Sequence, residues 1–469
     1  MMKIFKAVLG LFVTLCILVA GLWLWDNRTV DPEVVDSVSA EALSAAILRQ
    51  SPEIVLGQTN VVMAVVCTMR KDRLEPYGHP KPTSPFLDQL AKKSVVLNRH
   101  FAQAPWTRPS MGALFTGVWP RALQLDNPGA RGSLEMVLRE EHETLAEALK
   151  TQGYRTIGST GNPNLKAQFG LAQGLDHNWE PESTYAEDQL KIDGFKQVDF
   201  LMSELEDSPA EQPVYMRLVL TDTHQPRQVE TRYLNLFHQG GGPPGRRANY
   251  DASVRKVDAI LAELFTRVMN ARPDTLFVVA SDHGEGLRYP THHGKGHGNH
   301  LYETHIGSPS IWNHPSLAPQ RFDGLTMNID VKPTILGLLG ATNTHKANGR
   351  DISATVRGEG QWSGHPYAFA ETFYGRSNKA TIISNTHQLV RRHRKKKRPA
   401  VLETLHATED ALAEVDLMGT EPLVLALLRT ELDTWLNSMG QEWEEAGEPL
   451  NTTLSPELLE QLEAIGYIE

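Results

Sequence analysis

Through the first two thirds of the chain, apolar positions fall in short unbroken runs rather than in strict alternation. Val61–Val66 (VVMAVV), Val214–Leu220 (VYMRLVL) and Thr275–Ala280 (TLFVVA) are the clearest. Runs of this length, rich in β-branched residues, predict strands covered on both faces, as in parallel sheets. Tyr154–Gly158 predicts another strand. Between the runs, apolar residues recur at helical spacing. Thr83–Lys92 predicts a helix capped by Thr83 or Ser84, with Pro85 in its first turn. Thr107-Arg108-Pro109-Ser110 opens a helix through Met111–Phe115 that stops at Gly117. Thr144–Gln152 predicts an amphipathic helix ended by Gly153, and Tyr250–Met269 a long one; Gly240–Gly245 (GGGPPG) is a surface loop. Strands alternate with helices from Asn60 to about Gly340, which predicts an α/β fold around a mostly parallel central sheet. After about Thr344 the pattern changes to shorter strands and turns, then helices, and predicts a smaller C-terminal α+β subdomain. No internal repeat is visible.

The longest apolar run lies at the N-terminus. Ala7–Trp25 is uncharged, follows Lys3 and Lys6, and as a helix spans ~28 Å, close to a bilayer's hydrocarbon core. The lysines suit the cytoplasmic side, and Trp23 and Trp25 the far interface. No small-x-small cleavage site follows, so the segment predicts an uncleaved anchor rather than a cleaved signal peptide. The body then lies outside the cytoplasm, periplasmic or extracellular. The expected division is an anchor over 1–28, a linker over 29–58, a catalytic domain over 59–344 and the subdomain over 345–469.

Composition adds little: 41% hydrophobic and 22% charged residues in a chain of 469 are ordinary for a globular protein with a large core. A net charge of −10 argues against a nucleic-acid partner. The charge is uneven, because Arg391–Arg398 holds seven of the 46 basic residues. That run reads as a solvated hairpin edge, or as attraction to an anionic lipid or polyanion. The two cysteines, Cys16 in the apolar segment and Cys67 in the body, exclude a structural disulfide within the body.

Candidate chemistry gathers where the strands end. Ser281-Asp282-His283-Gly284-Glu285 closes one strand, and His293-Gly294-Lys295-Gly296-His297-Gly298 follows. Asp and His are metal ligands, and strand carboxyl ends are where open α/β sheets build active sites. Cys67 follows the first strand, and Asp222 and His224 follow a middle one. Thr107 stands at a helix N-terminus, where free amides and the dipole suit an anionic ester. A metal on Asp282 and His283 makes the Thr107 hydroxyl a nucleophile; His224, Lys295 and His297 are then candidates to hold the anion or protonate the leaving group. Each piece has a plainer reading: a turn for Asp282-His283, a helix cap for Thr107, a solvated side chain for His297, a small buried hydrophobe for Cys67.

Taken in order, these segments resemble the sulfatase family of the alkaline phosphatase superfamily, from about Asn60 to Glu469. NVVMAVVCTMRKDRLEPYG is similar to the family's opening strand and D-T-x-R-x-D-x-L-x-x-Y-G block, and APWTRPSMGALFTG to its nucleophile turn. ETLAEALKTQGYRT with GLAQGLDHN matches the next helix–strand unit. TDTHQP resembles the D-P-H-x-P-Y turn, and SDHGEG with GKGHGNHLYE the metal and histidine motifs. NIDVKPTILGLLG resembles the V-D-x-x-P-T-x-x-x-L-x-G helix, and LLEQLEAIGYIE the family tail. The resemblance implies an alkaline-phosphatase-like α/β/α sandwich and an ester hydrolase dependent on one divalent metal, acting on an anionic sulfate or phosphate ester. It implies Asp282 and His283 as metal ligands, Thr107 at the nucleophile position, and His224 and His297 as catalytic contacts, with Lys295, Arg108 and Asp222 about the substrate.

Three positions depart from the family pattern. The sulfatase turn reads C-x-P-x-R, with a cysteine oxidised to formylglycine; here Thr107 and Met111 stand in place of the Cys and the Arg, and Arg108 is a cation from a shifted position. A threonine there is closer to the phosphoethanolamine- or glycerophosphate-transferring branches. Cys67 occupies the place of a metal-binding Asp, and a thiolate favours Zn²⁺ over Ca²⁺, Mn²⁺ or Mg²⁺. Three activities follow: a hydrolase, a phosphoryl-group transferase, or an impaired homologue that binds a polyanion or lipid head group.

Overall fold

The computed structural model describes residues 53–126, 135–180, 193–238, 244–287, 295–342, 344–375, 377–393, 401–410 and 413–464. The expected anchor at 1–28 and most of the linker lie outside them, as do positions 240–243 of the expected loop. Among the described residues no helix is long and apolar enough to cross a membrane.

The central sheet has eight strands: β1 (Asn60–Val66), β2 (Val95–Phe101), β3 (Arg155–Thr160), β4 (His177–Trp179), β5 (Val214–Leu220), β6 (Thr275–Ser281), β9 (Ser310–Asn313) and β10 (Gln320–Met327), in the order β10-β2-β9-β6-β1-β5-β3-β4. All neighbours pair in parallel except β9, which runs against β2 and β6. A two-residue ribbon, β7 (Gly286–Leu287) with β8 (Lys295–Gly296), stands beyond the end of β6. The expected mostly parallel sheet is therefore present. The strands β1, β5 and β6 are buried at every position, which is why each reads as a continuous apolar run.

Helices cover both faces. On one lie α1 (Pro85–Ala91), α4 (Gly194–Glu206) and the long α6 (Arg246–Ala271), against which α5 (Thr231–Phe237) packs. On the other lie α2 (Thr107–Thr116), α3 (Leu145–Lys150), α8 (Val331–Leu339) and α9 (Ser353–Val356). The one-turn α7 (Glu303–Ile306) follows the β8 loop. Successive strand residues point to opposite faces, so Val61, Met63 and Val65 enter one core while Val62, Ala64 and Val66 enter the other. Local signals set the helix ends. Thr144 accepts from the Glu147 amide while Glu147 reaches back to the Thr144 amide, a capping box of about 1 kcal/mol. Gly117, at φ 74°, ends α2.

The C-terminal part is an antiparallel sheet, β11 (Ala368–Thr372), β12 (Lys379–Ile383), β13 (His387–His393) and β14 (Val401–Ala407), followed by α10 (Pro422–Glu445) and α11 (Pro456–Ala464). Leu458 and Leu462 of α11 return to pack with Ala104, Trp106 and Phe169, directly beneath the start of α2.

Candidate active site

Because β6, β1 and β5 are adjacent and parallel, with Val66 level with Ser281 and with Leu220, their carboxyl ends form one edge. Cys67, the Thr221–His224 turn and Asp282-His283 therefore meet, as their positions after three strands predict. The amino end of α2 closes the same edge. Every residue of that helix is buried, and Ser110 Oγ donates to the Asp282 carbonyl at 2.5 Å, tying the helix to β6.

Asp282 is fully buried. Its Oδ1 accepts from the Thr68 amide at 2.8 Å and the His283 amide at 2.7 Å. Thr68 makes its contact from the left-handed region, φ 58°, where a β-branched residue is strained by roughly 1–2 kcal/mol. Burial pushes the Asp282 carboxyl up to about 7, against the opposing pull of Thr68, His283, Thr107 and Cys67. His283 Nδ1 lies 2.8 Å from the Gly284 carbonyl, so Nδ1 carries the proton and Nε2 a lone pair. Burial holds this imidazole down to about 4. Its Nε2 is 3.3 Å from Asp282 Oδ2 and 3.5 Å from Thr107 Oγ1. Oδ2 makes no hydrogen bond of full geometry, although Thr107 and Cys67 lie near enough to favour its charge.

Two more imidazoles complete the cluster. The His297 ring centroid lies 4.9 Å from that of His283 and 4.8 Å from that of His224. His224 Nδ1 is 2.5 Å from the Gln225 carbonyl. Burial, His283 and Arg227 together hold His297 well below its ordinary value, so it is neutral. Gly298 positions it: the Gly298 amide donates to the Pro105 carbonyl at 2.8 Å, φ is 88°, and a Cβ there would lie 2.5 Å from the Tyr374 ring.

This edge of the sheet finds its counterpart in known proteins. The pattern that defines the sulfatase family matches residues 59–341. The chain belongs to the sulfatase family. It is a sulfatase-like hydrolase of the alkaline phosphatase superfamily. Arylsulfatase A of Bos taurus is 25% identical over 382 residues, 71% of this chain and 73% of the relative. The Delta 4,5-hexuronate-2-O-sulfatase of Bacteroides thetaiotaomicron is 20% identical over 357 residues, 63% and 71%. The crystal structure of the phosphonate monoester hydrolase of Agrobacterium radiobacter superposes with a TM-score of 0.66 at 18% identity, over 82% of this chain and 96% of that one. The structural likeness bears out the expected fold.

Not every residue singled out from this sulfatase-family sequence reaches the centre of the site. Asp222 Oδ1 is 3.1 Å from Lys256 Nζ of α6, in a buried ion pair that Glu230 and Asp193 extend at 3.4 and 3.9 Å. Burial pulls the Lys256 ammonium down, but these carboxylates outweigh it and raise it. Arg108 is directed toward the turn after β3: its guanidinium lies 3.7 Å over the Phe169 ring and donates to Asn164 Oδ1 at 2.9 Å. Met111, at the place of the family's Arg, is core. Lys295 lies in β8, and its side chain is outside the described residues. Cys67 Sγ is buried, 3.5 Å from Asn162 Nδ2. Among the described residues no three His, Cys, Asp or Glu side chains are arranged to hold an ion.

Four participants are not evident from the sequence. Asn162 and Asn164 sit in the turn after β3, at the same edge. Asn328 donates from Nδ2 to the Ser281 and Asp282 carbonyls at 3.1 and 3.3 Å. Arg227 pairs with Glu285. The Asn162-Pro163-Asn164 turn directly after a strand was a usable signal; Asn328 opens NIDVKPTILGLLG and Arg227 directly follows TDTHQP, but each acts through a fold-dependent contact that its motif does not disclose.

Proposed function

We propose that this chain hydrolyses anionic sulfate or phosphate esters, with Thr107 as nucleophile and a divalent cation bound at Asp282 and His283. The observation that carries this is the meeting of the Thr107 hydroxyl, the Asp282 carboxylate and the His283 Nε2 lone pair at the N-terminus of a buried helix. A carboxylate oxygen and an imidazole lone pair held 3.3 Å apart need a cation or a proton between them. Thr107 and Cys67 are the further donors at hand. The set is too poor in oxygen for Ca²⁺ and suits Zn²⁺. Such an ion acidifies the hydroxyl it touches and offsets charge on the ester.

The chain's own residues do the rest. Thr107 Oγ1 loses its proton to solvent, attacks the phosphorus or sulfur of the ester and expels the alcohol, which takes up a proton from solvent; water then cleaves the Thr107 ester, while Asp282 and His283 would hold the cation. The Thr107 and Arg108 amides at the first turn of α2 face the anion. His297, being neutral, acts as an N–H donor to its oxygens or to the leaving group rather than as an imidazolium acid, and His224 stands beside it as a further contact. The body is exported and anchored by residues 7–25, a reading that rests on the apolar run and its flanking lysines and tryptophans. Membrane fractionation with protease protection of the body tests it.

Purified full-length protein is assayed on 4-nitrophenyl sulfate, 4-nitrophenyl phosphate and an aryl phosphonate with Zn²⁺, Mn²⁺, Mg²⁺ or Ca²⁺. Turnover of at least one ester is expected, lost in Thr107→Ala and partly kept in Thr107→Ser. Undiminished turnover by Thr107→Ala would refute the nucleophile. The transferase alternative draws on Thr107 itself and predicts a group retained on that residue in mass spectra and passed to an added alcohol. The impaired-homologue alternative draws on Cys67 and on the lack of a three-donor group among the described residues; stoichiometric metal with turnover removes it.

A further inference from the structure

We propose that Arg227 is the cation that grips the charged oxygens of the ester, and that Glu285 sets how much of its charge reaches them; this rests on the ester-binding reading of the same site. Arg227 follows His224 by three residues at the carboxyl end of β5. Its side chain is 3% exposed. Nε donates to the Thr223 carbonyl at 2.7 Å, and Nη2 donates to Glu285 Oε2. The guanidinium lies 4.8 Å over the Tyr250 ring, whose hydroxyl bridges the Arg70 amide and the Thr68 carbonyl, each at 2.7 Å. The fork is thus held rigidly at the strand ends. Nη1 donates to no described residue and is not sealed from solvent.

Arg227 sits in the turn that carries His224, whose ring centroid lies 4.8 Å from that of His297, and is tied to Glu285 in the turn that carries Asp282 and His283. The other cations about this edge have carboxylate or amide partners: Lys256 with Asp222, Arg70 with Asp72, Arg108 with Asn164. Met111 supplies no charge. Among the described residues, Arg227 is the guanidinium in the turns at this edge whose Nη1 donates to no described residue. Glu285 belongs to the same turn as Asp282 and His283, and its backbone carbonyl is held by Arg70 Nη1 at 3.0 Å. The pair therefore reads as a partly neutralised anion grip. A purely structural tie between two turns explains Nε and Nη2 but leaves the open Nη1 without a purpose.

The test uses the full-length protein, with inorganic sulfate, phosphate and tungstate as probes by calorimetry and thermal shift at pH 8, together with KM for the aryl esters. Arg227→Met is expected to weaken anion binding and raise KM by about tenfold or more, because a fixed guanidinium fork is lost. Arg227→Lys restores part of this. Glu285→Gln keeps an oxygen for Nη2 but removes the carboxylate charge, so it is expected to tighten phosphate binding several-fold and sulfate binding less. A structural tie predicts otherwise: lower melting temperatures in both variants, with the phosphate-to-sulfate affinity ratio unchanged. Folded Arg227→Met with wild-type anion affinity overturns the assignment; if Arg227→Met does not fold, Arg227→Lys and Glu285→Gln carry the test. Arg227-dependent anion binding without turnover of any ester overturns the proposed hydrolase and leaves this assignment standing.

Discussion

Thr107 and His283 stand 176 positions apart, and the fold brings Thr107 Oγ1 to 3.5 Å from His283 Nε2. The contact joins a helix start to a strand end, through Ser110 on the Asp282 carbonyl and Asn328 on the Ser281 and Asp282 carbonyls.

On the proposed metal site, Cys67 is expected to set the metal preference. After dialysis against equal zinc, calcium and magnesium, the wild-type protein is expected to retain zinc, and Cys67→Asp to shift toward calcium or magnesium, because a hard carboxylate replaces a thiolate. Elemental analysis reads this directly. Calcium in the wild-type protein at a zinc-free stoichiometric level contradicts it.

Asp222 acts as a structural partner of Lys256 rather than as a substrate contact. Asp222→Asn is expected to cost roughly 2–3 kcal/mol, less than the full loss of a buried pair because Glu230 and Asp193 remain near Lys256. Urea unfolding measures the loss. KM should change less than twofold; a large rise in KM with unchanged stability returns Asp222 to the substrate.

Asn328 positions the Asp282 backbone. Asn328→Ala leaves two buried carbonyls with fewer donors, at a cost of about 1–3 kcal/mol. The expected signature is a fall in kcat with little change in KM, since Asn328 touches no substrate atom. Stability loss alone, with kcat intact, indicates a merely structural role.

His100 gives a pH dependence of stability. It is fully buried, its Nδ1 lies 2.8 Å from Thr326 Oγ1, and burial holds it down to about 4. The unfolded value is near 6.5, so the unfolded chain binds more protons between the two. The contribution is fully present above about pH 6.5 and is lost as pH falls toward 4. It amounts to a few kcal/mol, on the order of 3. His100→Asn is expected to flatten the fall in unfolding free energy between pH 7 and 4.5. Equal slopes in the two proteins exclude His100 as the origin.

The strands β1, β5 and β6 were legible because burial on both faces forces continuous apolar runs. By contrast β10 was not: over QRFDGLTM its first five positions are partly or fully exposed and only Leu325–Met327 are buried, so it shows no sustained apolar run. Nor was β2, where Asn98, Arg99 and His100 interrupt the apolar run. The antiparallel β9 is four residues long, too short for a periodic signal. The basic run was expected to be a solvated edge, but Arg391 is buried in β13, which pairs with both β12 and β14, and it is held by Glu403 and Asp433; 394–400 lies outside the described residues.

The residue types at the strand ends, and hence the family and its edge of the sheet, were determined by sequence alone, because period and motif order are local properties. How the side chains at that edge are paired was decided only by the tertiary structure. Arg108 and Asp222 carry the right chemistry in the right motifs, yet packing against Phe169 and pairing with Lys256 turn both to structural use. Arg227, directly after TDTHQP, and Asn328, first in NIDVKPTILGLLG, stand in motifs that do not disclose their contacts; those contacts run to residues distant in sequence. Side-chain direction depends on partners distant in sequence, and those partners exist only once the sheet has formed.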